Sequence, residues 1–323
     1  MGVHISSFDQ NSGLSNMIRS IAGSSNFGAF GAALMCGVAV LLCSGASAYA
    51  AASVSADAKL PEQSRLQLAP HRAVYEIKTK TIRRGSAVIG LEGALVYDFK
   101  VGCTGWITDH RFNMVYEYSS ANPVQVDSKF SSFESFDGSS MSFSSTRSRD
   151  GEVYETLRGL ADMTSKKSVH YSLPADGEDD ILLKAGTLFP VAHTSYLLKQ
   201  ARDGKRVVHA VVFDGSDQSG PVEMNAILGR KIAAKNDAAE KYSSSLKSDM
   251  KGPIDAQLLA APGWTIHMAV FPSNEKESLA DYELSMDVLE NGIVREMNVD
   301  YHDFSIVQRL IALEKRQPES CKD

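Results

Sequence analysis

Hydrophobic and polar positions alternate with period two through most of the chain. Ala73, Tyr75, Ile77 and Thr79 interleave with Arg72, Val74, Glu76 and Lys78, which predicts a strand with one face in water. Further strand runs are read at Ala87–Phe99 (two short runs around Gly90 and Gly93), Ile107–Ser119, Val153–Leu157, Lys167–Leu173, Arg206–Phe213, Val222–Leu228, Trp264–Phe271 and Asp303–Leu313. Phe130, Phe133, Phe136 and Phe143 stand in a serine-rich stretch, Ser128–Ser148, read as outward-polar strands joined by a turn at Asp137-Gly138. Tyr282–Leu289 and Ile293–Tyr301, joined by Asn291-Gly292, predict a hairpin with a type I′ turn, whose two central residues both need positive φ.

One segment breaks the period. Pro190–Arg202 carries Val191, Leu197, Leu198 and Ala201 at helical spacing, starts on a proline suited to a first turn and stops at Asp203-Gly204. Lys231–Ala261 has sparse apolar residues and reads as a long loop or a short surface helix. About a dozen strands, one clear helix and no βαβ alternation predict an all-β, mainly antiparallel fold with one helix packed in or against a bent sheet.

The first fifty residues follow another rule. Phe27–Leu42 is an apolar run without charge, preceded by Arg19 and followed by small residues that offer cleavage after Ala48 or Ala50. That order predicts a secretory signal peptide over residues 1–50, starting at Met1 or Met17; the run is shorter than the roughly 20 residues of a membrane span. Residues 51–68, rich in Ala, Ser and Gln, read as a flexible lead-in. The folded domain then spans residues 69–323, in the periplasm and not membrane-spanning after cleavage.

The net charge is −6, and Arg19 and Asp9 cancel within the leader. An acidic chain argues against a nucleic-acid partner, which calls for a basic patch. Of four cysteines, Cys36 and Cys43 lie in the leader. Cys103 and Cys321 remain, and in an oxidising compartment they are expected to pair as a structural disulfide.

No chemistry stands out. The eight histidines show no zinc spacing, and there is no Gly-x-Ser-x-Gly or phosphate-cradling loop. No cofactor, metal or catalytic residue is assigned. His193 on the helix, beside Thr194 and Ser195, reads as an anchor of the helix to the sheet; Asp300, His302 and Asp303 read as a solvated strand edge. A hydrolase with a dispersed site centred on His193 or His302 is the minor alternative. The better lead is aromatic: Trp106, Tyr116, Tyr118, the four phenylalanines, Trp264 and Phe271 either form core or line a concave sheet able to hold an apolar ligand.

Leu68-Ala69-Pro70-His71-Arg72-Ala73-Val74-Tyr75, Gly186-Thr187-Leu188-Phe189-Pro190-Val191-Ala192-His193-Thr194, Phe213-Asp214-Gly215-Ser216-Asp217, Asp281-Tyr282-Glu283 and Glu290-Asn291-Gly292 follow one another along the chain. Together they resemble the cell envelope integrity protein EipB family of the alphaproteobacterial periplasm. The resemblance implies a β-spiral, an open bent barrel with a helix near its middle. It also implies a disulfide from an early strand to the C-terminal region, which Cys103 and Cys321 fit. The implied role is non-catalytic support of the envelope under stress. The ligand is expected to be a lipid or apolar peptide at Trp106, Tyr116, Tyr118, Phe189, His193 and Trp264, or the partner another periplasmic protein. The alternative is a scaffolding module acting through its outer surface.

Overall fold

A computed structural model describes residues 68–173, 180–272 and 279–321. The proposed signal peptide, nearly all of the lead-in and most of the Pro174–Asp180 turn lie outside these residues. The described chain forms one antiparallel sheet of fourteen strands, in spatial order β8-β7-β6-β5-β4-β3-β2-β1-β14-β13-β12-β11-β10-β9. In chain order these are β1 (His71–Ile82), β2 (Val88–Val101), β3 (Gly105–Tyr118), β4 (Val124–Ser135), β5 (Ser140–Arg149), β6 (Glu152–Asp162), β7 (Ser168–Leu173), β8 (Ile181–Leu182), β9 (Val207–Val212), β10 (Val222–Ile232), β11 (Gly263–Pro272), β12 (Tyr282–Leu289), β13 (Val294–Asp300) and β14 (Phe304–Lys315). Two meanders thus meet at the β1–β14 seam, where His71 lies opposite Lys315 and Ile82 opposite Phe304.

The all-β expectation holds, and strands read as broken runs are continuous. β2 runs through Gly93 because nothing larger fits there: a Cβ would lie 2.2 Å from the backbone oxygen of Asn113 on β3. The helix also holds. α1 (Pro190–Arg202) buries Val191, Leu197, Leu198 and Ala201 as the periodicity requires. The 231–261 stretch contains two short helices, α2 (Ala238–Ser245) and α3 (Ala256–Leu259).

Two local expectations need correction. Gly292 has φ +87, but Asn291 is not among the residues of positive φ, so the β12–β13 turn is not type I′. Gly292 N–H bonds Leu289 O at 2.8 Å, the pattern of a type I turn closed by a left-handed glycine. Asn291 is held from outside: its Nδ2 donates to Leu258 O at 2.7 Å, and its backbone oxygen accepts from Ala69 N–H at 2.9 Å. Positive φ at two adjacent turn residues occurs instead at Asp150 (51) and Gly151 (86), in the two-residue loop between β5 and β6. The second correction concerns the serine-rich stretch. On β4, Ser128 and Ser132 face inward with Phe130, while Phe133 lies on the other face.

The sheet is strongly bent but not closed, since β8 and β9 do not pair with each other. The segment leading from β8 to α1 crosses the gap instead. Leu188 N–H bonds Val211 O at 2.8 Å and Leu188 O accepts from Phe213 N–H at 3.0 Å, a single parallel bridge. Beneath this junction a second small core gathers Phe130, Met141, Phe143, Tyr171, Phe189 and Phe213. Cys103, just after β2, is bonded to Cys321, joining the first meander to the C-terminal tail as expected.

Candidate functional site

α1 is bound to the sheet at its first turn. Its cap residue, Phe189, offers no side-chain oxygen, and Pro190 has no N–H to give. The next two donors go to Glu134 on β4. Val191 N–H lies 2.8 and 3.1 Å from the two carboxylate oxygens, and Ala192 N–H lies 3.2 Å from one of them. Glu134 is 1% exposed. Burial pushes its pKa up to about 7, against the two N–H donors that favour the charged form. The positive end of the helix is the reason a carboxylate tolerates this position at all. Strand alternation was the signal for it, because Glu134 shares the inward face with Phe130 and Ser132.

Between α1 and the two halves of the sheet lies a cavity of about 200 Å³. One wall comes from β10–β13 and carries Met224, Met268, Met286 and Met297. The facing wall comes from β1–β4 and carries His71, Tyr97, Phe99, Thr108, His110 and Ser132. α1 contributes Val191, His193, Thr194, Leu197 and Leu198. Thioether side chains adapt to varied apolar shapes, so a methionine wall suits a flexible guest. On the polar wall the hydroxyls of Thr108 and Ser132 hydrogen-bond each other at 2.7 Å. Tyr97 packs against His71 and His110, with ring centroids 5.4 and 4.7 Å away. His71 and His193 are buried, and burial lowers the pKa of each to about 4, so both are neutral at pH 7.

Of the six residues expected to bind ligand, the structure brings only His193 to this hollow. Trp106 is completely buried with its ring edge-on to Phe136 at 5.1 Å. Phe189 belongs to the second core. Tyr116 stacks on Tyr118 at 6.3 Å, and Trp264 lies under Lys231 Nζ at 6.0 Å. These five pack in or against the protein's cores and do not line the cavity, although Phe130 of the phenylalanine set does. The lining methionines are not legible as a set in the sequence, because an isolated methionine on a strand carries no pattern of its own.

Among the described residues, the polar candidates His193, Asp300 and Asp303 sit in separate settings. His193 Nε2 has no hydrogen-bond partner among the described residues. Asp300 pairs with Arg83 at 2.8 Å and Asp303 accepts from Ser86 Oγ at 2.9 Å, so both brace the β13–β14 turn. Among the described residues no group of three or more His, Cys, Asp or Glu is placed to hold a metal ion. No described helix is long and apolar enough to cross a membrane.

Fold and cavity together define a class: an open, barrel-like antiparallel sheet whose hollow is faced by one inserted helix. The family described as EipB-like matches residues 62–317, and the chain belongs to that family. It is 27% identical over 253 residues to the cell envelope integrity protein EipB of Brucella abortus (strain 2308), covering 78% of this chain and 85% of that protein. It also matches the crystal structure of a β-barrel-like protein of a domain of unknown function from Brucella abortus. There the TM-score is 0.67 at 27% identity, over 78% of this chain and 99% of the other.

Proposed function

We propose that this chain is a non-catalytic periplasmic protein that supports cell-envelope integrity by holding a lipid-like or apolar molecule between α1 and the bent sheet. The observation that carries the reading is the cavity of about 200 Å³ with its methionine wall. An apolar cavity of roughly 150 Å³ already takes up benzene. At about 25 cal/mol per Å² of apolar surface buried, a short aliphatic segment gains useful affinity there without a charged anchor. The name of the Brucella relative supports the envelope role. Native mass spectrometry of protein purified from its own periplasm tests the proposal. A reproducible small-molecule adduct is expected; a clean ligand-free mass in every preparation overturns it.

A second reading has an observation of its own. The outer face of β3–β7 forms a shallow groove containing Ile107, Phe133 and Leu160, the last 51% exposed. Recognition of a protein partner there would make the chain a scaffolding module. In-cell crosslinking separates the two: a partner lost on Leu160→Glu but kept when the cavity is filled by Leu197→Phe favours the outer surface.

A further inference from the structure

The two walls of the cavity differ, and the difference bears on the head group of its ligand. His71 is 2% exposed and faces inward on β1. Its Nδ1 lies 2.7 Å from the carbonyl oxygen of Ala69. A carbonyl only accepts, so Nδ1 carries the proton. In a neutral imidazole the other nitrogen is then a bare acceptor. That nitrogen, Nε2, is buried and has no hydrogen-bond partner among the described residues. His71 is among the residues lining the cavity, and the nearby hydroxyls of Thr108 and Ser132 bond each other rather than this nitrogen. A buried polar atom of this kind is costly unless something supplies its partner.

Charge narrows the choice. The lining includes Asp214 but no lysine or arginine, and the buried Glu134 carboxylate sits at the start of α1. An anionic head would find no cation here and two acidic side chains close by. We infer that the cavity binds an aliphatic molecule with a neutral hydroxyl head, its chain against Met224, Met268, Met286 and Met297 and its hydroxyl donating to His71 Nε2. This rests on the proposed ligand role of the same cavity.

Calorimetric titration of the mature, oxidised protein at pH 7.5 tests it with four probes of one chain length: octan-1-ol, methyl octyl ether, octanoate and octylamine. Octan-1-ol is expected to bind at least tenfold tighter than the ether, which lacks the donor, and than octanoate or octylamine, whose charged heads would lose their water to a mostly apolar lining. His71→Phe keeps an aromatic ring against Tyr97 and Phe99 and should weaken octan-1-ol about tenfold, the effect of leaving a buried donor unpaired, with the ether unchanged. His71→Gln retains an acceptor and should keep most of the preference. If His71→Phe fails to fold, the ranking of the probes on wild type decides. Equal binding of the ether, octanoate or octylamine overturns the hydroxyl assignment and leaves the apolar cavity standing. Failure of all four probes to bind overturns the ligand role itself, and this inference with it.

Discussion

Glu134 on β4 accepts the N–H of Val191 on α1 at 2.8 Å, across 57 positions of sequence. This pairing fixes where the helix begins relative to the sheet, and so sets the depth of the cavity between them. It also places an ionisable group where burial and the helix terminus oppose each other.

The first prediction follows from that opposition. A carboxyl raised from 4.5 to about 7 in the fold binds more protons folded than unfolded across that window, so its contribution to stability falls as pH rises from 4.5 to 7. His71 and His193, each lowered from 6.5 to about 4, act in the other direction: stability present above 6.5 is lost as pH falls toward 4. The three windows are similar in width, so Glu134 offsets one histidine and the other prevails. Melting temperature should therefore drop between pH 6.5 and 5 in wild type. Glu134→Gln should drop more steeply over the same range, having lost the offset. Parallel curves for the two proteins would contradict the assignment.

The disulfide gives a second prediction. Cys103 and Cys321 close a loop with a sequence separation of 218. Chain entropy alone suggests about 5 kcal/mol for such a loop, and native bridges commonly contribute about 2–4. Cys103→Ser should lower the melting temperature of oxidised protein by several degrees. Reductant should lower wild type to the same value and leave the variant unmoved. Thermal unfolding with and without reductant checks this, and a wild type indifferent to reductant refutes it.

Trp106 supplies a third. It is fully buried against Phe136 and does not line the cavity. Trp106→Phe should cost stability through lost packing, roughly 1–3 kcal/mol by denaturant titration. Affinity for an apolar probe should stay within twofold. Leu197→Phe on the cavity-facing side of α1 should do the reverse, blocking the probe with little loss of stability.

Much of this fold is legible from period alone. Ala73, Tyr75 and Ile77 alternate and are all buried, and Pro190–Arg202 begins and ends where its proline and Asp203-Gly204 place it. The turn chemistry was less legible. Asp150-Gly151 and Asn291-Gly292 look equivalent in sequence, yet only the first carries positive φ at both positions, because Asn291 is held by Leu258 and Ala69 from distant parts of the chain. The site was hardest to read. Alternation says that Trp106 and Met286 are both inside, but whether an inward side chain meets protein or cavity depends on how far the two meanders bend apart, and α1 settles that through Glu134.

The last prediction concerns the seam between the meanders. Asp98 on β2 is 1% exposed and is reached by Arg72 on β1 at 2.6 Å and by Arg316, just after β14, at 3.2 Å. Burial alone would raise its pKa, but the hydrogen bonds from Arg316 and Arg72 outweigh it and hold the carboxyl below the ordinary aspartate range. A group depressed in this way adds stability that is full above its unfolded value near 4 and is lost as pH falls through the folded value. This window lies below that of the histidines, so the two can be separated by titration. Asp98→Asn keeps the shape but removes the charge facing two guanidinium groups. Because both arginines are about one-third exposed and can rehydrate, the loss should be about 1–3 kcal/mol, below that of a fully buried pair. The variant should also lose the part of the acid unfolding that lies below pH 4 while keeping the part between 6.5 and 5. Urea unfolding at a series of pH values measures both, and an unchanged acid limb below pH 4 would remove Asp98 from the account of the seam.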